Sequence, residues 1–384
     1  MATATADSSA RIDIPLKVTL TSEATEYFMR IGRPLKRLHL SNSGEAYGFT
    51  TESIETGMLH RLIATNYLRG MEYVSATPVR KRSEIRRICE LVTRGLLFTK
   101  FTSEVHDEVL ATPEVQAWNR SHPHAIIDTA TRFKPDVVQQ ELLRQAKRIT
   151  ELKRRILKPV IGRISNDEMV EERDKRDRRG LSLDYLNNIS NETWYLILFA
   201  ESKLEADITT TVPRILDGYV RKSTVGDYLA LLVVELVVFA LNTNLVHCAE
   251  RTLRSGIHIE QILADEQLHK RLMDDVQKRG EEIAVSWTVS NRGQAGRRRL
   301  AISIGNKGAY SGDLRTEVNE KKNAKTRSLG EFFEEGGVNR DMTMGLMYLG
   351  YVREACEALD VHFESSVDAF SNRENTILNI FLDF

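Results

Sequence analysis

The chain has 384 residues, 41% of them apolar and 28% charged, with 54 Lys and Arg set against 54 Asp and Glu. That composition excludes a disordered, low-hydrophobicity chain, and zero net charge excludes a general electrostatic role on nucleic acid or anionic membrane, leaving only local patches for such work. Three cysteines, Cys89, Cys248 and Cys356, are too few and too scattered for a disulfide framework or a zinc site, which predicts reduced thiols and a cytoplasmic protein.

Residues 1–10 lack a basic stretch followed by an apolar one, so they read as a disordered start rather than a secretory leader. Residues 11–20 alternate apolar and polar positions, the period of a strand. Thr21 or Ser22 caps a helix predicted over 23–31, which Gly32-Arg33-Pro34 ends. A hairpin or loop follows over 38–50, then a helix over 51–68, where Ile54, Met58, Leu59, Leu62 and Ile63 recur at spacings near three and four. Residues 71–76 suit a strand and 82–97 an amphipathic helix. Together, 11–130 read as a small mixed α/β domain with no role of its own assigned.

Lys134-Pro135-Asp136 opens a long helix in which Val137, Val138, Leu142, Leu143, Ile149, Leu152, Ile156 and Leu157 follow a helical spacing close to a heptad seam, the pattern of a coiled coil. Pro159 should kink or end it. Residues 166–180 are nearly all charged and of mixed sign, as in a solvated helix or linker. Residues 184–225 look like two antiparallel helices, a hairpin that could pair with a second copy as a four-helix bundle. Residues 131–225 are therefore expected to link and dimerise the protein as a homodimer.

The run from Tyr228 to Leu241 is 14 residues long and contains Glu235. A bilayer span needs about 20 apolar residues, so the expectation is a buried helix over 227–254 and no membrane span. A charged helix follows near 258–279, then strands over 282–289 and 299–305. A Gly-containing loop leads to a helix over 342–359 and two strands over 361–367 and 375–383. Antiparallel hairpins with helices laid on one face make the fold class α+β.

This order resembles the ATP-binding domain shared by histidine kinases, DNA gyrase, the ATP-driven heat-shock chaperone and MutL. The resemblance covers roughly 226–384 and implies a C-terminal α/β sandwich of histidine-kinase ATPase type. In that family a helix presents a Glu and a Mg²⁺-binding Asn, an Asp-x-Gly-x-Gly turn holds adenine, and a Gly-rich turn opens the next helix under the phosphates. Here Glu235 matches the Glu, the weak candidate for a catalytic base. Phe239 stands where the Asn is expected and offers no oxygen to a hard cation. Asn242, two turns from Glu235 on one helix face, and Asn244, in another register, are the substitutes, with Asn244 the weak metal candidate. The adenine turn corresponds to Ile304-Gly305-Asn306-Lys307-Gly308, with Gly305 in place of the Asp and Asn306 or Asp313 as replacements. Residues 328–334 resemble the kinases' Phe-containing lid box. Met342 to Met347 retain Gly345 and Leu346 of the phosphate-binding Gly-x-Gly-Leu-Gly-Leu.

The resemblance therefore implies a degenerate ATPase-like domain, with ATP and Mg²⁺ bound weakly or not at all. The expected function is a non-catalytic signalling or scaffolding protein acting through protein partners. One alternative is an active ATP-dependent histidine or anti-sigma-type serine kinase. Another is a nucleic-acid or nucleotide-second-messenger binder using Arg80, Lys81, Arg82, Arg86 and Arg87, although nucleic acid is the weaker expectation. His106-Asp107-Glu108 with Thr112-Pro113 only loosely follows a phosphoacceptor box and reads as a surface helix. The sequence contains no P-loop and no Gly-x-Ser-x-Gly, and the His122-Pro123-His124 triplet reads as a turn.

Overall fold

Apolar–polar alternation draws strands from both ends of the chain, while spacings of three and four draw helices from its middle. The computed structural model describes residues 11–41, 43–168, 170–200, 205–253, 257–291, 293, 297–306, 316, 318–320, 344–370 and 375–384. The elements in order are β1 (Arg11–Ile12), β2 (Leu16–Leu20), α1 (Ser22–Arg30), β3 (Lys36–Leu40), β4 (Ser43–Thr51), β5 (Ile54–Glu55), α2 (Thr56–Ala64) and β6 (Leu68–Ser75). The helices α3 (Arg82–Leu110), α4 (Pro113–Ser121), α5 (Pro135–Arg144), α6 (Ala146–Asn166), α7 (Glu172–Asn188), α8 (Asn191–Ala200), α9 (Glu205–Ser223) and α10 (Val225–Leu253) follow. Then come α11 (Ile259–Ala264), α12 (Glu266–Lys278), β7 (Ile283–Ser290), β8 (Arg299–Asn306), α13 (Met344–Ala358), β9 (His362–Phe370) and β10 (Asn375–Asp383).

The fold is α+β with a large antiparallel sheet. Contacts among the described residues divide the chain into a helical unit within 97–223 and a sheet unit within 11–96 and 224–384. In the sheet unit eight strands run in the order β3-β4-β2-β6-β7-β8-β10-β9, each antiparallel to its neighbours. Pairing of β6 with β7, from Gly70 opposite Thr288 to Ser75 opposite Ile283, places residues 11–96 in one sheet with 283–383. The sequence reading had assigned 11–130 to a domain of its own. The buried run Gly70–Tyr73 explains the joining: a strand buried on both faces needs a neighbour on each edge.

The two faces of this sheet differ in chemistry. One carries Val18, Met71, Val285, Trp287, Ile302 and Ile380, all essentially without exposure. Burying each such side chain stabilises by about 1.5–3 kcal/mol. Helix α10 packs on β7 and β8, α13 on β9 and on α10, and the first half of α3 reaches Trp287, whose indole N–H donates to Cys89 Sγ at 3.2 Å. The opposite face carries a polar row of directly facing residues across six strands: Lys17, Glu72, Ser286, Ser303, Asn379 and Ser366. Lys17 Nζ donates to Glu72 at 2.9 Å and Ser303 Oγ to Asn379 Oδ1 at 2.6 Å, so the buried polar groups of this row are paired.

Several elements depart from their expected bounds. The helix expected over 51–68 is shorter because Ile54, buried opposite Ile12, is taken into β5. The helix expected to end at 97 continues to Leu110, since Phe98, Phe101, Val105 and Val109 keep burying one stripe. Pro159 does not end α6: Leu152, Ile156, Val160 and Ile164 bury a stripe across it, and Pro159 itself faces solvent, where water can satisfy the freed carbonyl. The block 184–225 holds three helical segments rather than two, with a break at Ser190, whose Oγ accepts from the Thr193 N–H at 3.1 Å. The helix expected over 258–279 is split at Asp265, which caps α12 through the Leu268 N–H at 3.0 Å.

The helical unit packs α6 against α7 and α9, and α4 and α5 against α8. Phe98, Phe101, Tyr185 and Tyr219 form its aromatic centre, with Tyr185 and Tyr219 ring centroids 4.8 Å apart. Trp194 is buried there, and Trp118 stacks on His122 at 3.7 Å. His106 lies half-buried on α3, and residues 123–124 form a turn.

Candidate functional site

Two of the sequence candidates, Asn244 and Asn306, meet where α10 passes the end of β8. Helix α10 is apolar around nearly its whole circumference because it is enclosed by β7, β8, α12 and α13. Its first turn is tied down by Asp227, which accepts from Arg94 Nη2 at 2.8 Å; burial pushes that carboxyl up, against the pull of the guanidinium. Gly226 in that turn faces Glu90, and a Cβ there would stand 3.5 Å from Glu90 Cα, an ordinary contact.

Asn244 is fully buried on this helix. Its Nδ2 donates to the Glu281 carbonyl at 3.1 Å, and its Oδ1 accepts from Asn306 Nδ2 at 3.1 Å. Asn306, the last residue of β8, is itself buried. The amides assigned to metal and to adenine are therefore joined to each other. Arg251, two turns further along α10, forms a close ion pair with the nearly buried Glu281 carboxylate, so the same loop is held by backbone and side chain. Phe239 is buried in the packing of α10.

Glu235 and Asn242 are half-buried on one face of α10. Burial, and after it the charge of Glu235, push the Tyr348 hydroxyl of α13 up. Gly305 lies inside β8, opposite Ala284 and Ile377. A Cβ there would meet Ile377 Cγ1 at 3.7 Å, an ordinary contact, so packing imposes no need for glycine. Gly345 lies in the first turn of α13. Gly308, Asp313, residues 328–334 and Met342 lie outside the described residues.

Among the described residues, Asn244 offers no free side-chain oxygen to Mg²⁺. A hard cation needs outward-facing oxygens, and the one buried amide oxygen at the right level of α10 already accepts a hydrogen bond. Among the described residues no group of three His, Cys, Asp or Glu side chains is arranged to hold a metal. The basic cluster of the sequence reading is also engaged within the chain: Lys81 donates to the Asp13 carbonyl at 2.6 Å, Arg86 to Glu90 at 2.8 Å and Arg87 to the Arg11 carbonyl at 3.3 Å.

Two ion pairs on buried carboxylates carry no mark in the sequence analysis. Asp383 is fully buried and accepts two bonds from Arg299, at 2.7 and 2.8 Å. Glu72 accepts from Lys17 and from the Ser41 N–H at 2.5 Å. Period-two spacing of Asn379 and Asp383 in the terminal strand was the one available signal for the first; nothing local marked the second.

Comparison with known proteins places this architecture in a family. Residues 7–384 match the family of unknown function DUF8084. The chain belongs to the DUF8084 family. An uncharacterized protein of Treponema pallidum (strain Nichols) is 25% identical to this DUF8084 chain over 380 residues, covering 97% of the chain and 98% of that protein. No solved structure matches the DUF8084 chain. Thr210–Leu253, which holds α10, is the one stretch among its described residues long and apolar enough to cross a membrane, and 67% of its most apolar window is buried within the fold.

Proposed function

We propose that this DUF8084 protein is a non-catalytic signalling or scaffolding protein, built on a degenerate histidine-kinase-like ATPase domain and acting through protein partners. The order helix, helix, hairpin, helix, hairpin over 225–383, with the helices α10 and α13 on the apolar face of the sheet, supports the architectural half of this reading. The observation that carries the functional half is the Asn244–Asn306 amide pair, which uses for folding the two polar groups a nucleotide site would need. Glu235 keeps a half-buried carboxylate on α10 whose charge reaches Tyr348, and this favours the second reading, an ATP-dependent kinase.

Incubation of the full chain with Mg²⁺ and γ-labelled ATP separates the two. The scaffold reading expects neither label on the protein nor phosphate release above buffer; label that is lost in Glu235→Gln establishes the kinase. The homodimer belongs to the same proposal. Val137 and Leu143 of α5, 50% and 71% exposed, offer apolar surface in the segment expected to dimerise. Light scattering should give about twice the 43.7 kDa chain mass, and the monomer mass would contradict it.

A further inference from the structure

The segment from the end of α1 to β4 exposes apolar groups and cations in the sheet unit. Tyr27, Met29, Ile31 and Tyr47 are 38%, 48%, 50% and 37% exposed. Between Tyr27 and Gly44 the chain carries Arg30, Arg33, Lys36 and Arg37 and no Asp or Glu. All four cations are exposed. This is the local patch that a zero net charge conceals.

The turn that ends α1 is rigidly built. The Gly32 N–H donates to the Met29 carbonyl at 3.0 Å and the Arg33 N–H to the Phe28 carbonyl at 2.9 Å, with Gly32 at φ +74°. These are the two bonds of a left-handed glycine helix stop. Phe28 anchors it from inside, and Tyr27 packs on Phe28 and Tyr67 at 5.5 and 5.6 Å. Ile31 and Met29 are thereby left facing water on a fixed tip, an arrangement unfavourable for the free chain.

The cations are laid out to flank that tip. Arg30, Arg33 and Arg37 pass over the rings of Tyr27, Phe28 and Tyr47 at 5.8, 5.6 and 5.6 Å. Their guanidinium heads thus rest against aromatic faces while the residues stay exposed to water. The carboxylate of Glu45 is 3.8 Å from Arg37 with both side chains largely exposed, a solvated pair that leaves Arg37 available.

We propose that this tip docks on the surface of an anionic lipid bilayer. Met29 and Ile31 enter the headgroup–acyl boundary, the tyrosines sit at headgroup level, and Arg30, Arg33, Lys36 and Arg37 meet lipid phosphates. A nucleic acid would use the cations equally well. It would stack on rings whose faces the guanidinia already share, however, and would leave Met29 and Ile31 without a partner. The docking is independent of the scaffold reading and stands or fails separately from it.

Co-sedimentation of the full chain with vesicles tests it. The chain should bind vesicles of phosphatidylcholine mixed with phosphatidylglycerol, but not phosphatidylcholine alone, and the binding should weaken with salt. Each cation near an anionic surface is worth about fivefold in partitioning, so Arg33→Glu with Arg37→Glu should lower it by more than about tenfold. Met29→Ser with Ile31→Ser should lower it at unchanged charge. All four side chains are exposed, so an unchanged melting temperature shows that the variants fold. Failure to bind the mixed vesicles overturns the proposal, as does binding that both double variants retain. Binding to a single-stranded oligonucleotide in place of lipid, lost in Arg33→Glu with Arg37→Glu, also overturns it.

Discussion

Asn244 and Asn306 lie 62 positions apart in the chain, yet the side-chain amide of one donates to that of the other at 3.1 Å. With the Asn244 bond to the Glu281 carbonyl, also 3.1 Å, the pair fastens α10 to the end of β8 and to the loop before β7. Removing Asn244 leaves a buried carbonyl and a buried amide without their partner. Asn244→Ala should therefore destabilise by about 2–3 kcal/mol in chemical denaturation. In a double-mutant cycle with Asn306→Ala the coupling should exceed about 0.5 kcal/mol. Additive losses would mean that the two amides are not a unit.

Arg299 and Asp383 make the second such fastening. A fully buried carboxylate that loses its bidentate guanidinium becomes an uncompensated charge, so Arg299→Met should destabilise by about 3 kcal/mol. Adding Asp383→Asn should restore part of that loss. A double variant as unstable as the sum of the single ones would contradict the pairing.

Gly48 faces Thr19 across β2 and β4, and a Cβ at Gly48 would fall 1.9 Å from the Val18 carbonyl oxygen. Backbone cannot yield there without opening the strand pair. Gly48→Ala is expected to destabilise by more than about 3 kcal/mol, at the severe end for a single substitution. Gly32→Ala should lose only about 1 kcal/mol, since its φ of +74° is strained for alanine while nothing lies within 4 Å. Equal losses at the two positions would show that the close approach at Gly48 is not real.

The thiols give a pH dependence of fixed sign. Burial pushes Cys89 and Cys356 up to about 12, and it raises Cys248 as well. An unfolded thiol ionises near 9. Between these limits the unfolded chain has released protons that the folded chain still holds. Stability contributed by Cys89 and Cys356 is therefore complete below pH 9 and is lost as pH rises towards 12. A disulfide-exchange reagent at pH 8 should leave the native thiols untouched and find three after unfolding. Removing Cys89 and Cys356 should flatten the alkaline fall in the denaturation midpoint. Rapid reaction of the native protein would contradict the burial.

Legibility in the sequence followed the range of the interactions. The strands 283–290, 299–306 and 375–383 and the helix 225–253 were readable to within about two residues, because each carries its own period over a full element. Pairings between distant segments were not. Glu72 looked like any strand glutamate, and its burial depends on Lys17, 55 positions away. The join of β6 to β7 was hidden for the same reason. At the site, Glu235, Asn242, Asn244, Gly305 and Asn306 were picked out by resemblance. Whether two amides bond to each other or face outward is decided by packing that no spacing records.

On the function proposed above, the polar groups at the end of α10 hold the fold together and do not grip a nucleotide. Thermal unfolding of the full chain in rising Mg-ATP tests it most directly. A ligand at a hundred times its Kd would add about 2.7 kcal/mol to the native state. The account predicts no rise in melting temperature at millimolar Mg-ATP beyond that given by Mg²⁺ with pyrophosphate. A saturable rise specific to Mg-ATP, lost in Asn242→Ala while the unliganded melting temperature is kept, would contradict it.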